Sequence, residues 1–194
     1  ARHESASLKQ IVSFNTDVPG SLETLLDGKP DDFTNVDTAA DDVALIAFTS
    51  GTTGEPKGTM HFHRDVMAMC DCFPRSILQT ASTDIFCGTP PLAFTFGLGG
   101  LLCFPLRHGA SSVLVERPEP ESLLQTIEDF HVTTCFAVPS FWRQMAGLAK
   151  NYDLSSLKKC VSAGEPLPEA TRRLWKAATG IELIDGLGSS EMLH

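Results

Sequence analysis

The chain has 194 residues, 42% of them hydrophobic and 20% charged, with a formal net charge of −9. That length holds one large domain or a domain and part of another, with ample apolar residues for a core. The acidic balance, without any block of Lys and Arg, excludes a phosphate-neutralising face for nucleic acid. No apolar run approaches the ~20 residues of a membrane span.

In chain order, Leu8–Phe14 ("LKQIVSF") alternates apolar and polar residues and predicts a strand. The following "GSLETLLDGKPDDFTNVDTAADD" predicts a short helical patch and an acidic, turn-rich link. Residues 1–42 are therefore expected to be part of a preceding subdomain with its linker, and 43–194 an α/β subdomain. From Val43 the pattern alternates. Strands are predicted at Val43–Thr49, Asp84–Thr89, Ser112–Val115, Thr133–Val138, Lys159–Ser162 and Glu182–Asp185. Helices are predicted at Arg64–Leu78, Gly97–Arg107, Pro120–Phe130, Ser140–Lys150 and Pro168–Ala178. Such alternation implies an α/β fold: a mainly parallel sheet with helices on both faces, and ligands at the carboxyl ends of its strands.

The stretch "FTSGTTGEPKGTMHFH" sits between an apolar run and a helical pattern, and reads as a strand-to-helix turn, a common place for a phosphate. Gly51, Gly54 and Gly58 allow positive φ and close backbone approach to an anion. Thr49, Ser50, Thr52 and Thr53 supply hydroxyls, and Lys57 a charge. Lys57 is followed by Gly58 rather than Ser or Thr, so this is not the common nucleotide loop. Taken alone, the stretch reads more readily as an ordinary polar turn than as a phosphate loop. Three further irregular segments each follow a predicted strand: "PPLAFTFGLGG" (90–100), "SAGEPLP" (162–168) and "DGLGSSE" (185–191). Together they are expected to line one cleft.

The 6 cysteines lie mostly within apolar runs, where a thiol behaves as a small hydrophobe. They read as reduced, which points to the cytoplasm. His61, His63, Cys70 and Cys72 lack the spacing of a zinc site, and the two histidines are expected to be partly exposed. Met67, Met69, Trp142 and Trp175 read as packing residues. Phe94 and Phe96 read equally as core or as pocket wall.

"TSGTTGEPKG", "SAGEPLP" and "GLGSSE", in this order, resemble the adenylate-forming superfamily of acyl-CoA ligases, luciferases and peptide-synthetase adenylation domains. Within it, "KGTMHFHRD", "PPLAFTFGLGG" and "DGLGSSEMLH" are most similar to aryl-CoA ligases acting on benzoate or 2-aminobenzoate. The resemblance implies a flavodoxin-like subdomain that binds ATP, Mg²⁺ and coenzyme A together with an aromatic carboxylate.

It also implies roles. Thr49, Ser50, Gly51, Thr52, Thr53, Gly54 and Lys57 would wrap the β- and γ-phosphates. Gly164, Glu165 and Pro166 would border adenine, with Asp185 and Gly186 in the same pocket and Leu187 where the family has an aromatic residue. Ser190 would reach the α-phosphate and Glu191 would hold Mg²⁺. Thr49, Ser190 and Glu191 are the expected catalytic set. Phe94, Thr95, Phe96 and Gly97 would form the acyl pocket wall, with His194 at its far side. The resemblance places the family's ribose-binding aspartate, hinge and adenylation lysine beyond Glu191, so the chain is expected to be the central part of a ligase's amino-terminal region. The carboxyl-terminal domain is expected to lie outside it, turnover is not expected in isolation, and uncovered apolar faces are expected to favour self-association, including a homodimer. Two other readings are a nucleotide-binding module without turnover and an adenylation domain that loads a carrier protein.

Overall fold

In the computed structural model, which describes residues 10–49 and 54–194, the chain divides into two units, Ala1–Thr38 and Ala39–His194. Among its described residues the first holds one short helix, α1 (Leu22–Leu26), whose first turn is capped by Ser21: its hydroxyl accepts from Thr24 N at 3.4 Å. The predicted strand Leu8–Phe14 is not formed over its described residues, 10–14, and Phe14 is 70% exposed. Alternation supplies a face, but a strand also needs a partner to hydrogen-bond. None is found among the described residues of this unit.

The second unit opens with β1 (Val43–Thr49) and β2 (Lys57–Phe62), an antiparallel pair in which Thr49 faces Lys57 and Leu45 faces His61. The glycine-rich stretch is therefore the connector of a hairpin. It does not lead directly into a helix, which is what its sequence suggests. The six residues of β2 intervene, and their alternation turns Thr59 and His61 inward while Met60 stays 61% exposed. Helix α2 (His63–Phe73) follows at once, its start satisfied by Phe62 N donating to Asp65 Oδ2 at 2.8 Å. A π-helical turn, Pro74–Leu78, extends it, and Gln79 ends it at φ 48°.

The remaining strands are β3 (Ile85–Gly88), β4 (Ser111–Ser112), β5 (Thr134–Ala137), β6 (Lys159–Ser162) and β7 (Leu183–Asp185). They form a parallel sheet in the order β4-β3-β5-β6-β7. Five of the six predicted apolar runs supply these strands, and Val43–Thr49 is instead in the hairpin.

Register places Cys87, Cys135 and Cys160 side by side on three neighbouring strands, all fully buried on one face. That face is covered by α5 (Pro120–Asp129), α6 (Pro139–Leu148) and α7 (Glu169–Thr179) through Leu123, Leu124, Ile127, Trp142, Met145 and Trp175. Trp142 and Trp175 meet edge to face with centroids 4.7 Å apart, and Trp142 Nε1 donates to Ala137 O at 3.0 Å. The opposite face presents Phe86, Phe136 and Val161 to Met69 and Cys70 of α2 and to Leu101 and Phe104. The last two come from the segment α3 (Thr95–Leu98), a π-helical turn (Gly99–Cys103) and α4 (Phe104–His108).

Helices thus cover both faces, as an α/β sheet requires. Met69 is buried, but Met67 is 42% exposed, because it lies two residues away on a helix and points to another side. His61 is 4% exposed rather than partly open. Among the described residues no helix is long and apolar enough to cross a membrane.

Candidate active site

The carboxyl ends of β3, β5, β6 and β7 open into one cleft of about 1240 Å³, whose lining includes Pro90, Val138, Gly164 and Gly186. Irregular backbone collects there because each parallel strand must leave the sheet before its crossover helix. After β6, Gly164 turns at φ +86°, a conformation that strains a residue bearing a Cβ. After β7, Gly186 N still donates to Ser162 O at 2.8 Å, and the chain then crosses the cleft through Leu187, Ser189 and Glu191.

The glycines of "FGLGG" have a different purpose from leaving space for a ligand ring. A Cβ on Gly97 would lie 2.1 Å from Pro91 O, one on Gly99 2.6 Å from His194 Nδ1, and one on Gly100 2.7 Å from the Phe136 ring. The chain's own carbonyl and rings fill those positions. His194 packs in an aromatic cluster, 4.6 Å from the Phe104 centroid, 5.6 Å from Phe73 and 5.8 Å from Phe96. Its Nδ1 is buried and has no hydrogen-bond partner among the described residues. Burial pushes its pKa down to about 4, although a hydrogen bond with the Thr95 backbone opposes the shift, so the ring is neutral at pH 7.

Glu191, by contrast, keeps its charge. It is exposed on the cleft, and its own backbone N–H, followed by the Ser189 hydroxyl, holds its carboxyl below the ordinary glutamate range. His61 contributes a smaller effect in the same direction.

The structure brings Gly164, Asp185, Gly186, Leu187, Ser190 and Glu191 together on the cleft. Phe94, Thr95, Phe96 and His194 line it as well. Gly97 is buried behind it, and the exposed Glu165 and Pro166 are not part of its lining. Thr49 and Lys57 face each other at the end of the hairpin, and Gly54 in the connector turns at φ +88°. Ser50, Gly51, Thr52 and Thr53 lie outside the described residues.

A wall that sequence reasoning missed comes from α2 and its π-helical extension: Asp65, Met69, Phe73 and Ile77 all line the cleft. Their spacing of four was the available signal, since it places side chains on one helical face. It went unused because Met69, Phe73 and Ile77 also fit an ordinary core stripe.

A nucleotide-sized cleft, an ionised glutamate among the acids on it and glycine-rich turns on the strand ends are parts that an adenylating enzyme needs. Residues 2–194 match the profile described as AMP-binding enzyme. The chain belongs to the AMP-binding enzyme family.

Within this family it lies in the acyl-CoA synthetase branch, close to the benzoate and anthranilate ligases. It is 37% identical over 178 residues to benzoate–CoA ligase of Thauera aromatica, covering 90% of this chain and 34% of that protein. It is 36% identical to anthranilate–CoA ligase of Pseudomonas aeruginosa, covering 77% of this chain and 29% of the relative. Among solved structures it resembles the anthranilate CoA ligase AuaEII in complex with anthranoyl-AMP, with TM-score 0.77 and 35% identity over 86% of this chain and 33% of that one. A benzoate CoA ligase from Burkholderia xenovorans gives TM-score 0.79 and 30% identity over 90% of this chain and 35% of that one. The chain therefore spans about a third of the length of the curated relatives it matches.

For an AMP-binding enzyme the residues present suit a nucleotide with its metal. Magnesium in phosphate sites is held by one or two carboxylates together with substrate phosphates. Glu191 presents an exposed carboxylate to the cleft, and the described residues hold no group of three potential metal ligands.

Proposed function

We propose that the chain forms the nucleotide and acyl site of an ATP-dependent aryl-CoA ligase, which activates an aromatic carboxylate as its acyl adenylate and passes it to coenzyme A. The observation that carries this reading is the composition of the cleft. An apolar aromatic wall (Phe73, Phe94, Phe96) meets glycine-rich turns and an ionised glutamate in one space. The names of the relatives, benzoate and anthranilate ligases, favour an aromatic acid.

In this reading the acid needs no base, since a carboxylate is ionised at neutral pH. One of its oxygens attacks the α-phosphorus, the bond to the β-phosphate oxygen breaks, and pyrophosphate leaves with the electron pair. The sulfur of coenzyme A then attacks the acyl carbon, the thiol gives up its proton, and AMP departs with the acyl–oxygen pair. Thr49, Ser50, Gly51, Thr52, Thr53, Gly54 and Lys57 would bind the β- and γ-phosphates, and Ser190 would orient the α-phosphate. Gly164, Asp185 and Gly186 would border adenine, with Leu187, 93% exposed, free to pack on the base. Glu191 would hold Mg²⁺, which supplies charge neutralisation at the phosphate oxygens. The aromatic wall excludes water, which would otherwise hydrolyse the adenylate. The burial of Cys70, Cys87, Cys135 and Cys160 as core residues favours a reducing, cytoplasmic setting.

The test is acid-dependent pyrophosphate release by the full-length protein with ATP and Mg²⁺. Benzoate or 2-aminobenzoate should support release, and added coenzyme A should yield the thioester. Equal rates with octanoate and benzoate would remove the aryl assignment, and adenylate without thioester would redirect it to another acceptor.

A further inference from the structure

The two sets of candidate phosphate-handling residues stand on different sheets. Thr49 and Lys57 belong to the β1–β2 hairpin, whereas Ser190 and Glu191 follow β7 of the parallel sheet. Whatever ties the sheets sets the distance between them. Among the described residues, one hydrogen bond runs from the hairpin to the segments at the strand ends: His61 Nε2 lies 2.7 Å from Ser190 O, across 129 residues of sequence. A carbonyl oxygen only accepts, so Nε2 carries the proton and donates. His61 is 4% exposed, and β2 alternation aims it inward with Thr59, both on the cleft. A bond so shielded from water holds its geometry better than an exposed one.

We propose that His61 is a positioning residue, whose Nε2–H anchors the Ser190–Glu191 turn to the phosphate-binding hairpin so that both ends of the triphosphate are met at once. This inference rests on the nucleotide-binding reading above and adds a residue to which that reading gave no role. It makes a specific demand: loss of the bond should weaken the handling of MgATP and spare the aromatic acid, which meets the α2 and Phe94–Phe96 walls.

The experiment uses the full-length protein and reads equilibrium binding of MgATP by calorimetry, alongside the KM values for ATP and acid. His61→Leu should weaken MgATP binding roughly tenfold, the scale of one net hydrogen bond, with the KM of the acid changed less than about twofold. His61→Gln, whose amide nitrogen can donate to the same carbonyl, should restore most of the affinity. Unchanged MgATP binding in His61→Leu, equal losses for both substrates, or a glutamine variant as impaired as leucine would each overturn the proposal. If His61→Leu does not fold, glutamine is compared with His61→Asn, whose shorter amide cannot span to Ser190. Glutamine should bind more tightly, and equal affinities would overturn it. An unmutated protein that binds MgATP but makes no adenylate counts against the ligase reading alone. One that binds no MgATP removes both.

Discussion

Lys159 Nζ lies 2.7 Å from Asp84 Oδ2, joining the amino ends of β6 and β3 across the intervening β5. Thr133, just before β5, completes the link by donating from Oγ1 to Asp84 Oδ1 at 2.7 Å, and Ala81 N donates to Oδ2 at 2.9 Å. Burial raises the pKa of Asp84, but the hydrogen bonds of Ala81, Lys159 and Thr133 outweigh it and the net direction is down. The network therefore fastens the end of the sheet remote from the cleft.

Asp84→Asn should cost about 3 kcal/mol or more of stability, because it leaves the Lys159 ammonium partly buried without its counter-charge. Combining Asp84→Asn with Lys159→Met should recover part of that loss. A depressed carboxylate pKa stabilises the fold above its unfolded value, and the benefit is lost as pH falls through the folded one. Denaturant titration from about pH 6 to about pH 2 should show an acid limb, weaker in Asp84→Asn.

His194 titrates with the opposite charge and in a different window. Its folded pKa of about 4 lies below the ordinary 6.5, so the unfolded chain binds the extra proton between these values. The neutral ring's contribution is full above pH 6.5 and shrinks as pH falls to about 4, by up to ~3 kcal/mol. His194→Phe should flatten stability over that window. An unchanged slope would place the titrating group elsewhere.

Glycine substitutions should divide by what lies beside them. A Cβ on Gly188 would sit 2.4 Å from the His194 carbonyl carbon, so Gly188→Ala must shift the backbone that carries Glu191. It should lower both stability and MgATP affinity. Gly147, inside α6, has nothing within 4 Å, and Gly147→Ala should add ~0.5–1 kcal/mol through backbone entropy and helix propensity. Thermal unfolding of the pair reads both signs.

Phe96→Ala should raise the KM of the aromatic acid with much less effect on ATP, since the ring lines the cleft and packs 5.7 Å from Phe136. It should also destabilise, by ~1.5–3 kcal/mol for loss of a largely packed apolar ring. Phe94, 66% exposed, should affect acid binding with little change in stability. Equal stability losses at the two positions would contradict this division.

The sheet was legible because its strands are short apolar runs alternating with amphipathic helices, and Lys159–Ser162 matches its predicted bounds. The first strand of the hairpin, Val43–Thr49, also matches, but its second strand was not legible. "KGTMHF" holds a glycine, a threonine and a histidine, and its alternation becomes visible only when β1 is known to be its partner. The motif residues on the strand ends could be named from sequence, whereas the meeting of His61 and Ser190 depends on how two sheets dock, which no local pattern encodes. His194 was named, but its burial among phenylalanines follows from the close approach that Gly99 permits.

The row of Cys87, Cys135 and Cys160 lies beneath the paired indoles of Trp142 and Trp175. Small side chains on the strands and the largest side chains on the helices together fill a layer of fixed thickness. Neither partner can change size alone: a leucine in the row would lift the helices, and an alanine for either tryptophan would leave a void. Paired changes in opposite directions should cost less than the sum of their parts. Sequence drift in this layer is thus constrained to compensated exchanges, and the spacing of the strand ends that form the cleft is inherited from that constraint.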